Sequence, residues 1–300
     1  MMDEPAMGDE RPATNDNASA VRHPPSAIRY TLAAAILTKN EERHIGACLD
    51  SLAWVARRVV FDSFSADRTC GIARERGAQV IQHPFADYAS QRNAAMEAID
   101  ADWIFFVDAD ERATPELAEE IRGALEQPGA ISGWYVPRDN YLFGRLTRGA
   151  GYWPDYQMRL LRRGRARYDR PASEIVSLDG TPGYLTCPLV HYNYESVAHF
   201  HAKQRFRIDF EATNLRRQGI RPKFHSPYSQ YARHFWWRFV TLKGYVDGLH
   251  GMRLSLILAY YFGYRYTRRL AELITEKWQL TTPDSDTPCS SCSPRRPPRR

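Results

Sequence analysis

The stretch Trp103-Ile104-Phe105-Phe106-Val107 runs without a break into Asp108-Ala109-Asp110-Glu111. A short apolar run rich in aromatic and β-branched residues, with no polar alternation, reads as a strand buried on both faces of a sheet. The acids then lie at its carboxyl end, the edge where open α/β sheets bind ligands. Asp108 and Asp110 are two apart, so an extended backbone turns both side chains to one side. Hard oxygen donors held together suit Mg²⁺ or Mn²⁺, and such a cation suits a diphosphate. An ordinary acidic turn before the helix start Thr114-Pro115-Glu116 is the competing reading of the same residues.

The surroundings decide between them. Leu32–Leu37, Arg58–Phe61, Ala78–Ile81 and Trp103–Val107 read as strands. Glu41–Leu52, Asp67–Arg76, Tyr88–Ile99 and Thr114–Leu125 read as the helices between and after them. Strand–helix alternation at this spacing predicts a Rossmann-like, mostly parallel α/β sheet flanked by helices. Polar clusters follow the strands: Thr38-Lys39-Asn40-Glu41 after the first, and Asp62-Ser63-Phe64-Ser65-Ala66-Asp67 after the second. Each has the composition of a helix cap; gathered on one sheet edge they suggest a nucleotide site. Asp62 suits the imide N–H of a uracil, and Thr38, Asn40 and Glu41 suit the base and ribose. No G-x-G-x-x-G follows the first strand and no G-x-x-x-x-G-K-[ST] occurs, which disfavours dinucleotide and P-loop chemistry.

Four segments in order carry a family resemblance: Ala35-Ile36-Leu37-Thr38-Lys39-Asn40-Glu41, Asp62-Ser63-x-Ser65-x-Asp67-x-Thr69, Gln91-Arg92-Asn93 and Asp108-Ala109-Asp110-Glu111. Together they resemble family 2 glycosyltransferases of the GT-A fold, on the side of the lipopolysaccharide core β-glucosyltransferases. The resemblance covers about Thr31 to Leu273. It implies an inverting, metal-dependent transfer from a nucleotide-sugar, most often a UDP-sugar. By that resemblance Thr38, Asn40, Glu41, Asp62 and Ser63 contact the nucleoside. Arg92 and Asn93 lie near the diphosphate, Asp108 near the ribose and metal, and Asp110 at the metal. Apart from the resemblance, His191 reads either as a further metal or diphosphate contact or as a structural histidine at a strand end. Phe64 stands where the family commonly has Gly.

After Glu126 the pattern changes. Gly133–Arg138 and Arg159–Arg163 read as strands, and the segment holding Asp155, Gln157 and Arg159 resembles the family's acceptor side. In Arg170-Pro171-Ala172-Ser173-Glu174, Ser173 replaces the usual His while Glu174 keeps the acid. An inverting transfer needs a carboxylate to take the acceptor hydroxyl's proton. Glu174 and Asp155 are the candidates, each also readable as a surface acid paired with an arginine.

From His201 to Leu280 there are 15 Lys and Arg against 5 Asp and Glu, an excess of 15 − 5 = +10 within a chain whose net charge is +6. Aromatic runs interleave with this charge, a pattern that suits an anionic lipid surface. No apolar stretch is long enough to span a bilayer, and no nucleic-acid motif is present. The expected layout is a disordered tail over 1–27, a GT-A catalytic domain over 28–198 with its nucleotide half ending near 130, a basic helical extension over 199–280, and a disordered tail over 281–300. Without an export signal, the expected location is cytoplasmic, peripheral on the inner face of the cytoplasmic membrane. The expected partners are a nucleotide-sugar, a glycolipid or lipid-linked glycan acceptor and that membrane surface. Five scattered cysteines give no disulfide framework, and Cys289-Ser-Ser-Cys292 sits in a low-complexity tail. A sugar-nucleotidyltransferase would show a Gly-rich basic loop after its first strand, and a haloacid-dehalogenase-like phosphatase would carry its D-x-D there. A non-enzymatic membrane-surface protein would leave the acids at the strand ends without a purpose.

Overall fold

The computed structural model describes residues 30–169 and 175–281. Its first half alternates as the apolar runs require: β1 (Leu32–Thr38), α1 (Ile45–Ser51), β2 (Arg57–Asp62), α2 (Thr69–Glu75), β3 (Gln79–Gln82), α3 (Tyr88–Ala98), β4 (Trp103–Asp108), β5 (Glu111–Ala113) and α4 (Pro115–Glu126). β-strands dominate next: β6 (Ile131–Leu142), β7 (Arg145–Thr147), β8 (Asp155–Arg162), β9 (Ala166–Asp169), β10 (Ile175–Leu178), β11 (Thr181–Tyr184) and β12 (Leu189–Tyr194). Three helices follow: α5 (Val197–Arg217), α6 (Ser226–Trp236) and α7 (Gly248–Thr281), with a π-helical turn, Trp237–Thr241, and a 3₁₀ turn, Gly244–Asp247, between the last two.

The large sheet runs β3-β2-β1-β4-β8-β6-β12-β5, with β7 and β11 pairing β6 off this path. The first four strands are mutually parallel, and β8 then joins β4 antiparallel. The arrangement is therefore a parallel Rossmann-like half continued by a mixed half. Register places the site: Thr38 lies opposite Asp62, and Leu37 opposite Asp108. Three polar strand ends thus share one sheet edge.

Each face of the sheet is covered. α1, α2 and α4 bury Ile45, Leu49, Ala73, Leu117 and Ile121 against Ile36, Val60 and Phe105 on one side. α3 and Tyr168 cover Ala35, Phe61 and Phe106 on the other. Phe105 and Phe106 are both fully buried on opposite faces; truncating either to Ala would cost about 3–5 kcal/mol. Asp87 and Thr114 cap α3 and α4 through Ser90 N at 2.8 Å and Leu117 N at 3.2 Å.

Some boundaries differ from the sequence reading. Residues 41–44 form a turn, so the first helix starts at Ile45. Asp67 serves α2 from one residue before its cap, accepting from Thr69 N at 3.0 Å. β6 runs on to Leu142 although Pro137 sits inside it, and β8 begins at Asp155, in a polar stretch without strand alternation. The extension joins the catalytic half through Leu142, Ala150 and Tyr194, which pack with Phe200, Ile208, Leu254 and Tyr261.

Candidate active site

Asp108 and Asp110 part company where the sequence pattern would have kept them together. β4 ends at Asp108, and Ala109 and Asp110 form a turn. Asp108 faces Arg92 at 3.1 Å and Arg159, whose Nη1 lies 3.2 Å from Oδ1 and whose Nη2 bonds Oδ2. Burial would raise this carboxyl, but Arg159 and then Arg92 outweigh it and hold it well below the usual carboxylate range. Two guanidinium groups on one carboxylate repel a divalent cation. Asp108 is thus a fixed, arginine-paired acid at the end of β4.

Glu111 completes that network. It is fully buried, accepts from Arg159 at 2.6 Å and Arg138 at 3.2 Å, and bonds the backbone N–H of Asp108 at 2.9 Å. Arg159, expected on the acceptor side, is 4% exposed and belongs to this buried cluster instead. Arg138 passes the network on to Asp155, donating from Nε at 3.0 Å and from Nη2 at 2.6 Å. Asp155 also accepts from Asn140 at 3.0 Å and Gln157 at 2.9 Å. Burial pushes its carboxyl up, while Arg138, Asn140 and Gln157 pull it lower by more. A carboxylate so engaged is held as an anion and is a poor proton acceptor. Gln157, expected to face the acceptor, spends its amide on Asp155. Glu174 lies outside the described residues.

Asp110 faces His191, with Oδ2 and Nε2 3.6 Å apart. The other ring nitrogen of His191 lies 2.7 Å from Asn140 Oδ1. The amide orientation is fixed because Asn140 Nδ2 donates to Asp155 and to the Tyr152 carbonyl. In the neutral ring Nδ1 therefore carries the proton and Nε2 turns its lone pair toward Asp110. A proton on Nε2 or a cation between the two groups would join them. Among the described residues no cluster of three or more acidic, His or Cys side chains is arranged for a metal. A carboxylate and an imidazole fit Mg²⁺ or Mn²⁺, which complete their shells with substrate phosphates and water.

A cavity of about 460 Å³ opens beside Asp110, walled by Asn40, Glu41, His44, Tyr192, His199 and Lys203 among others. Glu41 is pushed up to about 7 by burial and by the Asp110 carboxylate, with Asp67 and Asp108 adding to it. His199 is pulled below its ordinary value by burial and then by Lys203.

The loops at the other strand ends are cross-linked. Asp62, wholly buried, accepts from Thr38 Oγ1 at 3.0 Å and Ser65 N at 2.8 Å. Its carboxylate holds the loop from beneath the surface. Asn40 has φ of 56° and Phe64 of 58°, both left-handed. The bend that Gly commonly provides in the family is made here by a phenylalanine, and Lys39 Nζ clamps it with bonds of 2.7 Å to the carbonyls of Ser63 and Phe64. Asn40 also bonds Ala66 N at 2.9 Å and Ser65 Oγ at 2.8 Å, while Ser63 Oγ accepts from Gln91 at 3.0 Å.

Arg92 reaches Asp108 and lies over the rings of Phe106 and Tyr168, at 5.3 Å and 5.5 Å. Asn93, expected at the diphosphate, bonds both N–H and C=O of Tyr168 at 2.9 Å. It staples α3 to β9. The sequence reading gave no role to Glu111, Arg138, Asn140, His199 or Lys203. The alternation that turns Arg138 and Asn140 to one face of β6 and the i, i+4 spacing of His199 and Lys203 are the signals that could have found them.

A Rossmann-like parallel half, a mixed half carrying the arginine network, and an acid–imidazole pair at their seam make up the candidate site. The glycosyl transferase family 2 model matches residues 34–176 of the chain. The chain is similar to the lipopolysaccharide core biosynthesis glycosyltransferase LpsC of Rhizobium meliloti, at 29% identity over 77% of this chain and 91% of the relative. An uncharacterized glycosyltransferase of Rickettsia typhi is 26% identical over 75% of this chain and 82% of its own length. Among solved structures, glucosyl-3-phosphoglycerate synthase from Mycobacterium tuberculosis, in complex with Mn²⁺, UDP and glucosyl-3-phosphoglycerate, matches with a TM-score of 0.45 and 19% identity, covering 67% of this chain and 87% of that one.

Proposed function

We propose that the protein is an inverting, metal-dependent hexosyltransferase that moves a sugar from a UDP-sugar to a hydroxyl of a lipopolysaccharide-core or other lipid-linked glycan at a membrane surface. The observation that carries the reading is Asp110, on the wall of the cavity beside Glu41 and Lys203 and backed by His191. Asp110 and His191 would hold Mg²⁺ or Mn²⁺, which when bound supplies positive charge to the diphosphate leaving group. Lys203 adds a cation on the same wall. The buried cluster of Asp108, Glu111, Arg138 and Arg159 fixes the backbone from which Asp110 projects. Glu174, preceding β10, takes the acceptor proton, and Asp155 orients Arg138 and Asn140 behind His191. The lipopolysaccharide-core relative supports the acceptor class, and the basic, aromatic extension supports the membrane surface.

The test is transfer and UDP binding with a panel of UDP-hexoses, with Mn²⁺ and with chelator. Parent protein is expected to bind UDP only with the metal, and Asp110→Asn to lower metal-dependent transfer at least about 100-fold. Undiminished Mn²⁺-dependent transfer by Asp110→Asn would remove the reading.

A further inference from the structure

A second cavity, of about 290 Å³, lies where the extension meets the catalytic half, lined by Tyr152, Tyr194, Gln204, Arg238, Tyr261 and Arg265 among others. It is a separate space but a close neighbour of the first. Asn193 and Lys203 line the first cavity, and the residues that follow each in the chain, Tyr194 and Gln204, line the second.

Arg238 is the unusual group. It stands on the π-helical turn, a local irregularity that recurs at functional sites. Its Nη1 donates to the Ala150 carbonyl at 2.7 Å, and its guanidinium lies 5.5 Å from the Trp237 ring centroid. Nε is buried without a hydrogen-bond acceptor. Among the described residues no carboxylate pairs with it; burial pulls its pKa below the ordinary value, and only the Tyr152 hydroxyl opposes that. A guanidinium stays charged at any ordinary pH, so burying one without a counter-charge is unfavourable unless an anion joins it. The Gln204 amide, on a neighbouring wall, adds a donor from another direction. A tetrahedral anion accepts hydrogen bonds on several sides, whereas a planar carboxylate is met by one guanidinium fork.

We propose that this cavity is an anion subsite in which Arg238 binds a phosphate group carried by the acceptor. The word acceptor rests on the function proposed above; the anion binding does not. The shared wall with the first cavity would let a phosphorylated glycan be held there while its hydroxyl reaches the transfer site.

Thermal unfolding of the full chain tests it, with inorganic phosphate against chloride at matched ionic strength. The parent is expected to gain a few degrees, saturably, with phosphate. Arg238→Met removes the charge, and Gln204→Glu places a carboxylate on the same wall while keeping Arg238. Both are expected to lose the phosphate-dependent gain yet keep the gain given by UDP with Mn²⁺. No gain in the parent, or a gain that persists in both variants, overturns the proposal. Loss of the UDP response with the phosphate response intact would instead count against the donor site. A hexose 1-phosphate and vesicles containing phosphatidic acid separate the two sources. A gain from the sugar phosphate alone assigns a soluble glycan phosphate; Arg238-dependent binding to the vesicles assigns a lipid-borne one.

Discussion

Glu111 and Arg159 are 0% and 4% exposed, and they hold the end of β4 by charge and not by packing. Such pairs are weak sources of net stability, yet breaking one side strands a buried charge, at about 3–5 kcal/mol. Their value here is geometric, since Asp110 begins where this cluster stops. Two predictions belong at this scale. Glu174→Gln is expected to bind UDP as the parent does and to transfer sugar about 10²–10⁴-fold more slowly, the usual worth of a general base. Asp155→Asn, its lone pairs already engaged, is expected to disturb His191 through Asn140 and so weaken Mn²⁺-dependent UDP binding. Single-turnover rates with separately measured UDP affinity distinguish the two, and loss of UDP affinity in Glu174→Gln would move that residue to the donor side. Asn93→Ala should cost about 1–3 kcal/mol in urea unfolding for its two lost bonds to Tyr168, with UDP affinity unchanged; a fall in affinity would return Asn93 to the diphosphate. The acidic turn that carries Asp110 was legible in the sequence, because three acids follow a short apolar run. The neutralisation of Asp108 was not, because Arg159 is 51 residues away and reaches it only once β8 pairs with β4.

At the scale of elements, the parallel half was readable because each strand is a short apolar run bounded by a helix of matching period. The second half was not. β6 contains Pro137, which reads as a strand end, and β8 opens on Asp155-Tyr156-Gln157, whose polar residues are explained only by the site they line. β5, three residues long, has too little pattern to register. The extension was legible as helical, but not its electrostatics. His234 on α6 is 8% exposed and held down to about 4, by burial first and then by Arg238, Arg265 and Arg233. The sign follows from linkage. Between about 6.5 and 4 the unfolded chain takes up a proton that the native one refuses, so stability falls as pH falls through that window. Urea unfolding at pH 7 and pH 5 should show this loss in the parent and a smaller one in His234→Gln. Equal losses in both would mean that another group carries the acid sensitivity.

For the whole molecule, the outward side of the extension bears on the proposed membrane surface. Leu249, Met252, Leu256, Tyr260 and Tyr264 follow one another at helical spacing along α7, and all are exposed, Leu249 by 78%. Leu254, Ala259 and Tyr261 on the same helix are buried. Trp236, Val240, Tyr245 and Val246 extend the exposed apolar surface onto the neighbouring turns, and Arg233, Lys243 and Arg253 stand exposed among them. No helix among the described residues is long and apolar enough to cross a membrane. An apolar stripe bordered by cations fits partial insertion into an anionic leaflet, with the charges at the headgroups. Full burial of a leucine side chain is worth about 1.5–3 kcal/mol. Leu249→Asp with Leu256→Asp, which also adds two negative charges, should therefore weaken binding to phosphatidylglycerol-containing vesicles on the order of 100-fold. Because neither residue lines the cavities, transfer to a short water-soluble acceptor should be unaffected. Binding by the parent should fall as salt rises, since screening shortens the reach of surface charge to about 8–10 Å near physiological ionic strength. An apolar contribution would survive that screening, so a salt-resistant remainder, absent from the double variant, is the specific signature of insertion. A parent that ignores anionic vesicles at low salt, or a double variant that sediments with them as the parent does, would show that this face serves another partner.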